Sequence, residues 1–169
     1  NLARYDGIRY GFSVDSDIDY DKTISKTRYL GFGDEVKKRI MIGSYSLSAG
    51  YYEKYYIKAL KIRNMIKKEF IKIFKKKDAL ISPTMPMLPP KIGNKITDPE
   101  ILYSIDINTV PANLSGIPAL SIPCGYSDRL PIGLQIMGPM FREDIILNIG
   151  YAYEQTTNYC LRRPKNDAE

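Results

Sequence analysis

The chain has 169 residues and a formal net charge of +6, from 25 lysines and arginines against 19 acidic residues. It has no histidine and two cysteines, Cys124 and Cys160, which excludes histidine-dependent triads, His-ligated zinc, disulfide frameworks and Cys₄ metal sites within the chain. Hydrophobic residues at 44% are typical of a globular domain, and no apolar run reaches the roughly 18 residues of a membrane span. We therefore expect one compact unit that binds no metal and no membrane, and two unpaired thiols favour a reducing, cytoplasmic location.

The first residues are expected to form loops. Residues 1–30 are polar and rich in turn formers, and the chain does not begin with Met, so we expect it to start inside a longer gene product. The aspartates from Asp15 to Asp21 lack the glycine and glutamate of a calcium-binding EF-hand, which favours a solvated loop. Residues 33–43 follow as a short helix with acids at its start and bases at its end.

The strongest periodic signal predicts a long amphipathic helix over residues 47–77. Its apolar positions are Tyr52, Tyr55, Tyr56, Ala59, Ile62, Ile66, Phe70, Ile73 and Phe74. Its lysines are Lys54, Lys58, Lys61, Lys67, Lys68, Lys72 and Lys75 to Lys77. The lysine face is a candidate surface for RNA or anionic lipid, but a solvated face is favoured. The tyrosines could stack on bases, and their spacing is more typical of packing.

The second half of the chain reads as alternating strands and helices. We predict a strand at 79–83, a proline-rich loop at 84–99, and a helix from 99 to about 108 with Asp98 as its N-cap. Strands at 119–123 and 132–138 are joined by a tight 125–131 connection, and a helix runs from 143 to about 159 before a polar tail at 162–164. This order predicts an α/β fold with a mixed β-sheet flanked by helices.

General catalytic motifs do not assign a function, because the sequence has no G-x-S-x-G, Walker A or G-x-G-x-x-G pattern. Cys124 has no basic neighbour in sequence, which favours a small buried thiol over a nucleophile. Longer strings are more informative. They are NLARYDGIRYG (1–11), GFGDEVKKRI (31–40), LSAGYY (47–52), DINTVPANLSGIPALSIPCG (106–125) and LPIGLQIMG (130–138).

These strings closely resemble the C-terminal part of the amidase signature family, and the first two resemble its tRNA-dependent amidotransferase members. The resemblance implies that residues 1–169 are the C-terminal segment of a single amidase domain. It also implies a Lys-Ser-Ser catalytic triad, which needs no histidine and would lie upstream of Asn1. We therefore assign no catalytic residue to this chain and expect the segment alone to be inactive.

The resemblance also implies two substrate-binding residues, Arg39 and Asp106, which match the arginine and aspartate that hold the backbone end of glutamine. The chemistry agrees with that role. A guanidinium binds an α-carboxylate through two hydrogen bonds, and a carboxylate accepts from an α-ammonium group. Taken alone, each residue would be interpreted as an ordinary surface charge at a helix end.

The family function implied is glutamine hydrolysis within a heterotrimeric tRNA-dependent amidotransferase. Partner subunits B and C would use the ammonia with ATP and Mg²⁺ to convert Glu-tRNA(Gln) or Asp-tRNA(Asn), the mischarged tRNA being held mainly by a partner. One alternative is a stand-alone amidase of the same family acting on simple amides. A second is a non-catalytic basic module that binds RNA through the lysine face of 47–77.

Overall fold

The computed structural model describes residues 2–14, 19–94, 96 and 98–162. Their internal contacts group the chain into two compact units, residues 1–60 and residues 61–169. The expectation of one compact unit is therefore wrong, because the boundary falls inside a helix that sequence periodicity treats as continuous. That the residues belong to a single amidase domain stays a prediction.

The first unit is helical. Its elements are a 3₁₀ turn (Leu2–Arg4), α1 (Tyr20–Gly31), α2 (Asp34–Ser46) and a π-helical turn (Tyr52–Ile57). Helix α2 confirms the short helix predicted at 33–43. Helix α1 contradicts the loop predicted over 1–30. It escaped detection because its one fully buried side chain is the polar Thr27, not an apolar stripe. Residues 15–18 of the aspartate-rich stretch lie outside the described residues.

A folded loop precedes α1 and accounts for two residues of the string NLARYDGIRYG (1–11), Tyr5 and Gly7. The Tyr5 hydroxyl donates to the carbonyl of Phe12 at 2.8 Å, and the Thr27 hydroxyl accepts from the backbone amide of Val14 at 3.1 Å. Gly7 has a φ of +79°, and a Cβ there would lie 2.5 Å from Thr27 Cγ2. Glycine is therefore required at this position both for its backbone conformation and for space.

The second unit combines helices with a small sheet. Its elements are α3 (Lys58–Phe74, whose first residues belong to the first unit), β1 (Leu80–Pro83), α4 (Pro99–Ser104), α5 (Val110–Ser115), β2 (Ala119–Ser127), β3 (Leu130–Met137), α6 (Glu143–Thr156) and a 3₁₀ turn (Tyr159–Leu161). The strand order is β1-β3-β2. The α/β class is confirmed. The described strands pair antiparallel throughout, so the parallel pairing expected of a mixed sheet is absent from this part of the chain.

The β2–β3 hairpin is longer than the sequence suggests. The register pairs Ser127 with Leu130 across a two-residue turn, Asp128–Arg129, in which both residues have positive φ. Such a turn matches the twist of the flanking strands, but it usually contains glycine. Most residues of the predicted 125–131 connection therefore belong to the strands, and the connection itself is the two residues 128–129. A register shift between Pro123 and Gly125 marks a bulge at Cys124.

Helix boundaries differ from the predictions in three places. The helix predicted over 47–77 begins as the π-helical turn at Tyr52, after a turn at residues 48–51, and ends at Phe74. The helix predicted over 99–108 ends at Ser104, and α5 follows it after a separate turn. Helix α6 ends at Thr156, and residues 163–164 of the predicted tail lie outside the described residues.

Two apolar clusters cover the two faces of the sheet. Along β3, Ile136 and Met137 point to opposite faces because strand side chains alternate. The Ile136 cluster contains Ile122 and Ile146 of α6, and the Met137 cluster contains Ala112 and Ile117. Phe70 and Phe74 of α3 pack against the Met137 cluster. Only the C-terminal end of the predicted apolar helix face therefore reaches this core.

Candidate functional site

Arg39 lies on the exposed surface of α2 in the first unit. Its Nε donates to Glu35 Oε1 at 3.0 Å, one helical turn earlier, and its side chain is 61% exposed. Glu35 also lies 4.0 Å from Lys38 Nζ. Because Glu35 occupies the Nε edge of the guanidinium, the two terminal nitrogens form the edge that remains for a ligand carboxylate. End-on binding of this kind is one of the two-bond geometries open to arginine.

Asp106 lies in the second unit, in a turn between α4 and α5. Its backbone carbonyl accepts from the amides of Thr109 at 3.1 Å and Val110 at 2.9 Å, and from the Thr109 hydroxyl at 3.2 Å. These bonds build the entry to α5 and leave the exposed Asp106 side chain outside the helix. The residue is therefore held by its main chain, while its carboxylate remains available to a cationic group.

The Asp106 turn is connected to the sheet by a buried glutamine. Gln135 of β3 is 4% exposed, and its Nε2 donates to the carbonyl of Asn108 at 2.9 Å and to Ser82 Oγ at 3.2 Å. Gln135 pairs with Ser82 of β1 and Ser121 of β2 in the sheet register. A row of polar side chains thus crosses the middle of the sheet and meets the turn that carries Asp106.

A pair of hydroxyl groups continues this polar row. Thr84 Oγ1 and Ser121 Oγ are 2.7 Å apart, and Gly133 lies beneath them. A Cβ on Gly133 would lie 2.7 Å from Thr84 Oγ1 and 3.0 Å from Ser121 Oγ. Glycine in the PIGLQ string therefore makes room for two side chains from neighbouring segments.

Cys124 and Cys160 are both free and half-buried. The sequence predicts a buried thiol at Cys124, but the residue is partly accessible, at the bulge in β2. The pKa of neighbouring Tyr153 is raised, first by burial and then by the nearby Cys124 and Tyr159.

The tyrosines at the start of the predicted long helix do not form a core. Tyr51, Tyr52, Tyr55 and Tyr56 are exposed, and they stack on one another: Tyr51 on Tyr55 at 5.9 Å and Tyr52 on Tyr56 at 5.1 Å between ring centroids. The core packing expected for these tyrosines is therefore wrong, and their rings contact one another at the surface instead. The lysine face of α3 is largely exposed, in agreement with a solvated face.

Metal and membrane features are absent from the described part of the chain. Across residues 2–14, 19–94, 96 and 98–162, no three His, Cys, Asp or Glu side chains are grouped to hold a metal ion. Over the same residues, no helix has both the length and the apolar character needed to cross a bilayer.

Comparison with known proteins shows the family to which this chain belongs. The model of the Amidase family matches residues 1–147, and this chain belongs to that family. A curated relative, the Glutamyl-tRNA(Gln) amidotransferase A subunit of Methanosarcina barkeri, is 54% identical over 164 residues, covering 97% of this chain and 34% of the relative. The chain thus spans about a third of the length of the curated relatives it matches.

Solved structures agree with this assignment. The crystal structure of the Glutamyl-tRNA(Gln) amidotransferase A subunit from Thermotoga maritima has a TM-score of 0.62 and 45% identity, covering 82% of this chain and 30% of that one. A solved amidase has a TM-score of 0.65 at 25% identity, covering 81% of this chain and 31% of that one. The fold is shared across amidases, while sequence identity is higher with the amidotransferase protein.

Two residues near the candidate positions are not singled out by sequence reasoning: Glu35, which contacts Arg39, and Gln135, which contacts Asn108 two residues after Asp106. Glu35 could have been found from its spacing, since residues four apart on a helix face are neighbours. Gln135 stands inside the PIGLQ string that carries the resemblance. Its partner Asn108 is 27 positions away, so the contact could be seen only in the fold.

Proposed function

We propose that the complete protein to which this chain belongs hydrolyses glutamine and delivers the ammonia to a tRNA-dependent amidotransferase reaction. The observation that carries this proposal is the close similarity, over nearly the whole chain, to relatives named as the A subunit of Glutamyl-tRNA(Gln) amidotransferase. The product of the coupled reaction would be Gln-tRNA(Gln) from Glu-tRNA(Gln), or Asn-tRNA(Asn) from Asp-tRNA(Asn).

In this proposal the chain contributes recognition of glutamine. The terminal nitrogens of Arg39 would bind the α-carboxylate, and the carboxylate of Asp106 would accept hydrogen bonds from the α-ammonium group. Binding both backbone charges orients the side-chain amide toward a nucleophilic serine supplied by another part of the complete protein. Fixing the substrate in this way lowers the entropic part of the activation barrier.

The remaining components are assigned to partners. Subunits B and C would complete a cytoplasmic heterotrimer, with ATP, Mg²⁺ and the mischarged tRNA bound mainly by one of these partners. The role of ATP would be to activate the tRNA-linked carboxylate for attack by ammonia. The catalytic triad would likewise lie outside these 169 residues, so the segment alone is expected to be inactive.

The direct test measures kcat/KM of the complete protein for L-glutamine and for an uncharged amide such as butyramide. We expect a strong preference for L-glutamine. Arg39→Ala and Asp106→Ala should each lower kcat/KM for L-glutamine and leave that for butyramide within about two-fold. A wild-type preference for butyramide would instead support the stand-alone amidase suggested by the solved amidase of the same fold.

The RNA-binding alternative is supported by the exposed lysines of α3. It predicts that the affinity of this protein for RNA falls linearly on a log–log plot against salt concentration. Substituting Lys61, Lys68 and Lys72 together by glutamine should then weaken RNA binding without changing glutamine hydrolysis. Unchanged RNA affinity in that variant would remove this alternative.

A further inference from the structure

We propose that Gln135 is a positioning residue that holds the Asp106 turn for recognition of the substrate ammonium group. The assignment depends on the proposed function, since it gives Gln135 a role through Asp106. It adds a residue in the centre of the sheet to the two surface residues that the family resemblance implies.

The Gln135 amide forms a long-range hydrogen bond from the sheet to this turn. The other hydrogen bonds recorded for residues 104–110 in the described chain are local and join residues three or four apart. By contrast, the bond from Gln135 Nε2 to the Asn108 carbonyl joins residues 27 apart. Local bonds set the conformation of a turn, whereas a bond to the sheet sets where the turn lies.

The burial of Gln135 makes this link sensitive to substitution. A buried amide is stable only when its donors and acceptors find partners, and Nε2 finds two of them here. Removing the donor would leave the Asn108 carbonyl without its partner at the edge of the core. The turn would then shift to find another partner or water, and the carboxylate of Asp106, two residues away, would move with it.

The second hydrogen bond of Gln135 Nε2 provides a matched control. Ser82 Oγ, on β1, accepts the second, longer bond from Gln135 Nε2 at 3.2 Å, in the same polar row but away from the turn. Ser82→Ala removes that bond and preserves the one to Asn108. If Gln135 acts by placing the turn, Gln135→Met should affect glutamine binding and Ser82→Ala should not.

The experiment measures KM and kcat of the complete protein, with its partner subunits, for L-glutamine and butyramide. We expect Gln135→Met to raise KM for L-glutamine about ten-fold with kcat within two-fold, and to leave both constants for butyramide unchanged. Ser82→Ala should change KM for L-glutamine by less than two-fold. Gln135→Met combined with Asp106→Ala should raise KM no further than Asp106→Ala alone, because both remove the same contact.

A second variant keeps the test decisive if Gln135→Met fails to fold. In Gln135→Glu, the new carboxyl can donate to the Asn108 carbonyl only when protonated, so KM for L-glutamine should fall as pH is lowered, relative to wild type. Equal losses of kcat/KM for L-glutamine and butyramide would mean a purely structural role and would overturn the assignment. So would an unchanged KM in Gln135→Met when Asp106→Ala raises it. If Asp106→Ala itself has no effect, the glutamine-binding role of Asp106 fails first.

Discussion

Replacing Arg39 is the perturbation whose effect follows most directly from the geometry. In the proposed binding mode, Arg39→Ala would remove two charge-assisted hydrogen bonds to the substrate carboxylate, each worth about 1.5–3 kcal/mol. Because Arg39 lies at the surface and solvent screens part of that energy, we take the lower limit, about 3 kcal/mol for the pair. A factor of ten corresponds to about 1.4 kcal/mol, so KM for L-glutamine should rise about 100-fold.

Two related variants test the size and the geometry of this effect. Arg39→Lys keeps the charge but cannot form the two parallel bonds, so it should recover only part of the loss. Glu35→Gln keeps an acceptor for Nε and removes the charge of an exposed pair that is worth roughly 0.3–0.5 kcal/mol, so KM should change by about two-fold.

The assay is steady-state release of glutamate from L-glutamine by the complete protein, with thermal melting as the folding control. The melting temperature of Arg39→Ala should stay near that of wild type, since the side chain is exposed and its recorded ion pair joins residues on one helix. An unchanged KM in a folded Arg39→Ala variant would refute the substrate contact. A Glu35→Gln effect as large as that of Arg39→Ala would refute the end-on geometry.

Two further predictions concern stability. Gly7→Ala should lower the stability by about 1–3 kcal/mol, because φ is +79° and the added Cβ would meet Thr27. Gly43→Ala lies in open space within α2 and should raise the stability by about 0.5–1 kcal/mol. Equal melting temperatures for the two variants would contradict this prediction. The hydrogen bonds from Arg142, more than its charge, lower the pKa of Asp144. The pair therefore stabilises the fold at pH values above the ordinary carboxyl pKa of about 3.9, and this contribution is lost as the pH falls through the lowered pKa. Asp144→Asn should therefore lower the melting temperature at pH 7, with a difference from wild type that shrinks in acid; a difference independent of pH would rule out this pair as its origin.

Elements with strong local signals could be predicted from the sequence. Asp98 accepts from the amide of Glu100 at 2.9 Å, and Pro99 occupies the first position of α4, as the capping pattern indicates. Helix α6 begins at Glu143, where acidic residues stand at the start of an apolar pattern. In both cases the residues that define the boundary are adjacent in sequence, so no tertiary contact is needed to find them.

Elements that depend on tertiary contacts could not be predicted in this way. Helix α1 buries Thr27, whose partner Val14 belongs to a loop that polarity alone describes as unstructured. The hairpin turn places Asp128 and Arg129 at positive φ, where glycine is the usual signal. The packing of neighbouring segments therefore overrides local preference at these positions.

The candidate residues show the same contrast between local sequence signals and tertiary contacts. Arg39 and Asp106 are exposed charges whose local patterns are ordinary, and only the family resemblance distinguishes them. Gln135 is visible as a buried polar residue once β3 is placed between β1 and β2. The structure thus adds what the strings cannot, namely the hydrogen bond from the buried Gln135 to the turn that carries Asp106.

The most direct test of the amidotransferase function follows the glutamine amide nitrogen. The complete protein, its partner subunits, ATP and Mg²⁺ would be incubated with mischarged Glu-tRNA(Gln) and L-glutamine labelled with ¹⁵N in the amide. We predict that the label appears in the side-chain amide of Gln-tRNA(Gln). At glutamine concentrations near the wild-type KM, Arg39→Ala should strongly lower this transfer, while added ammonia restores product formation. Product formed from ammonia alone, with no label transferred from glutamine by the wild-type complex, would contradict the account.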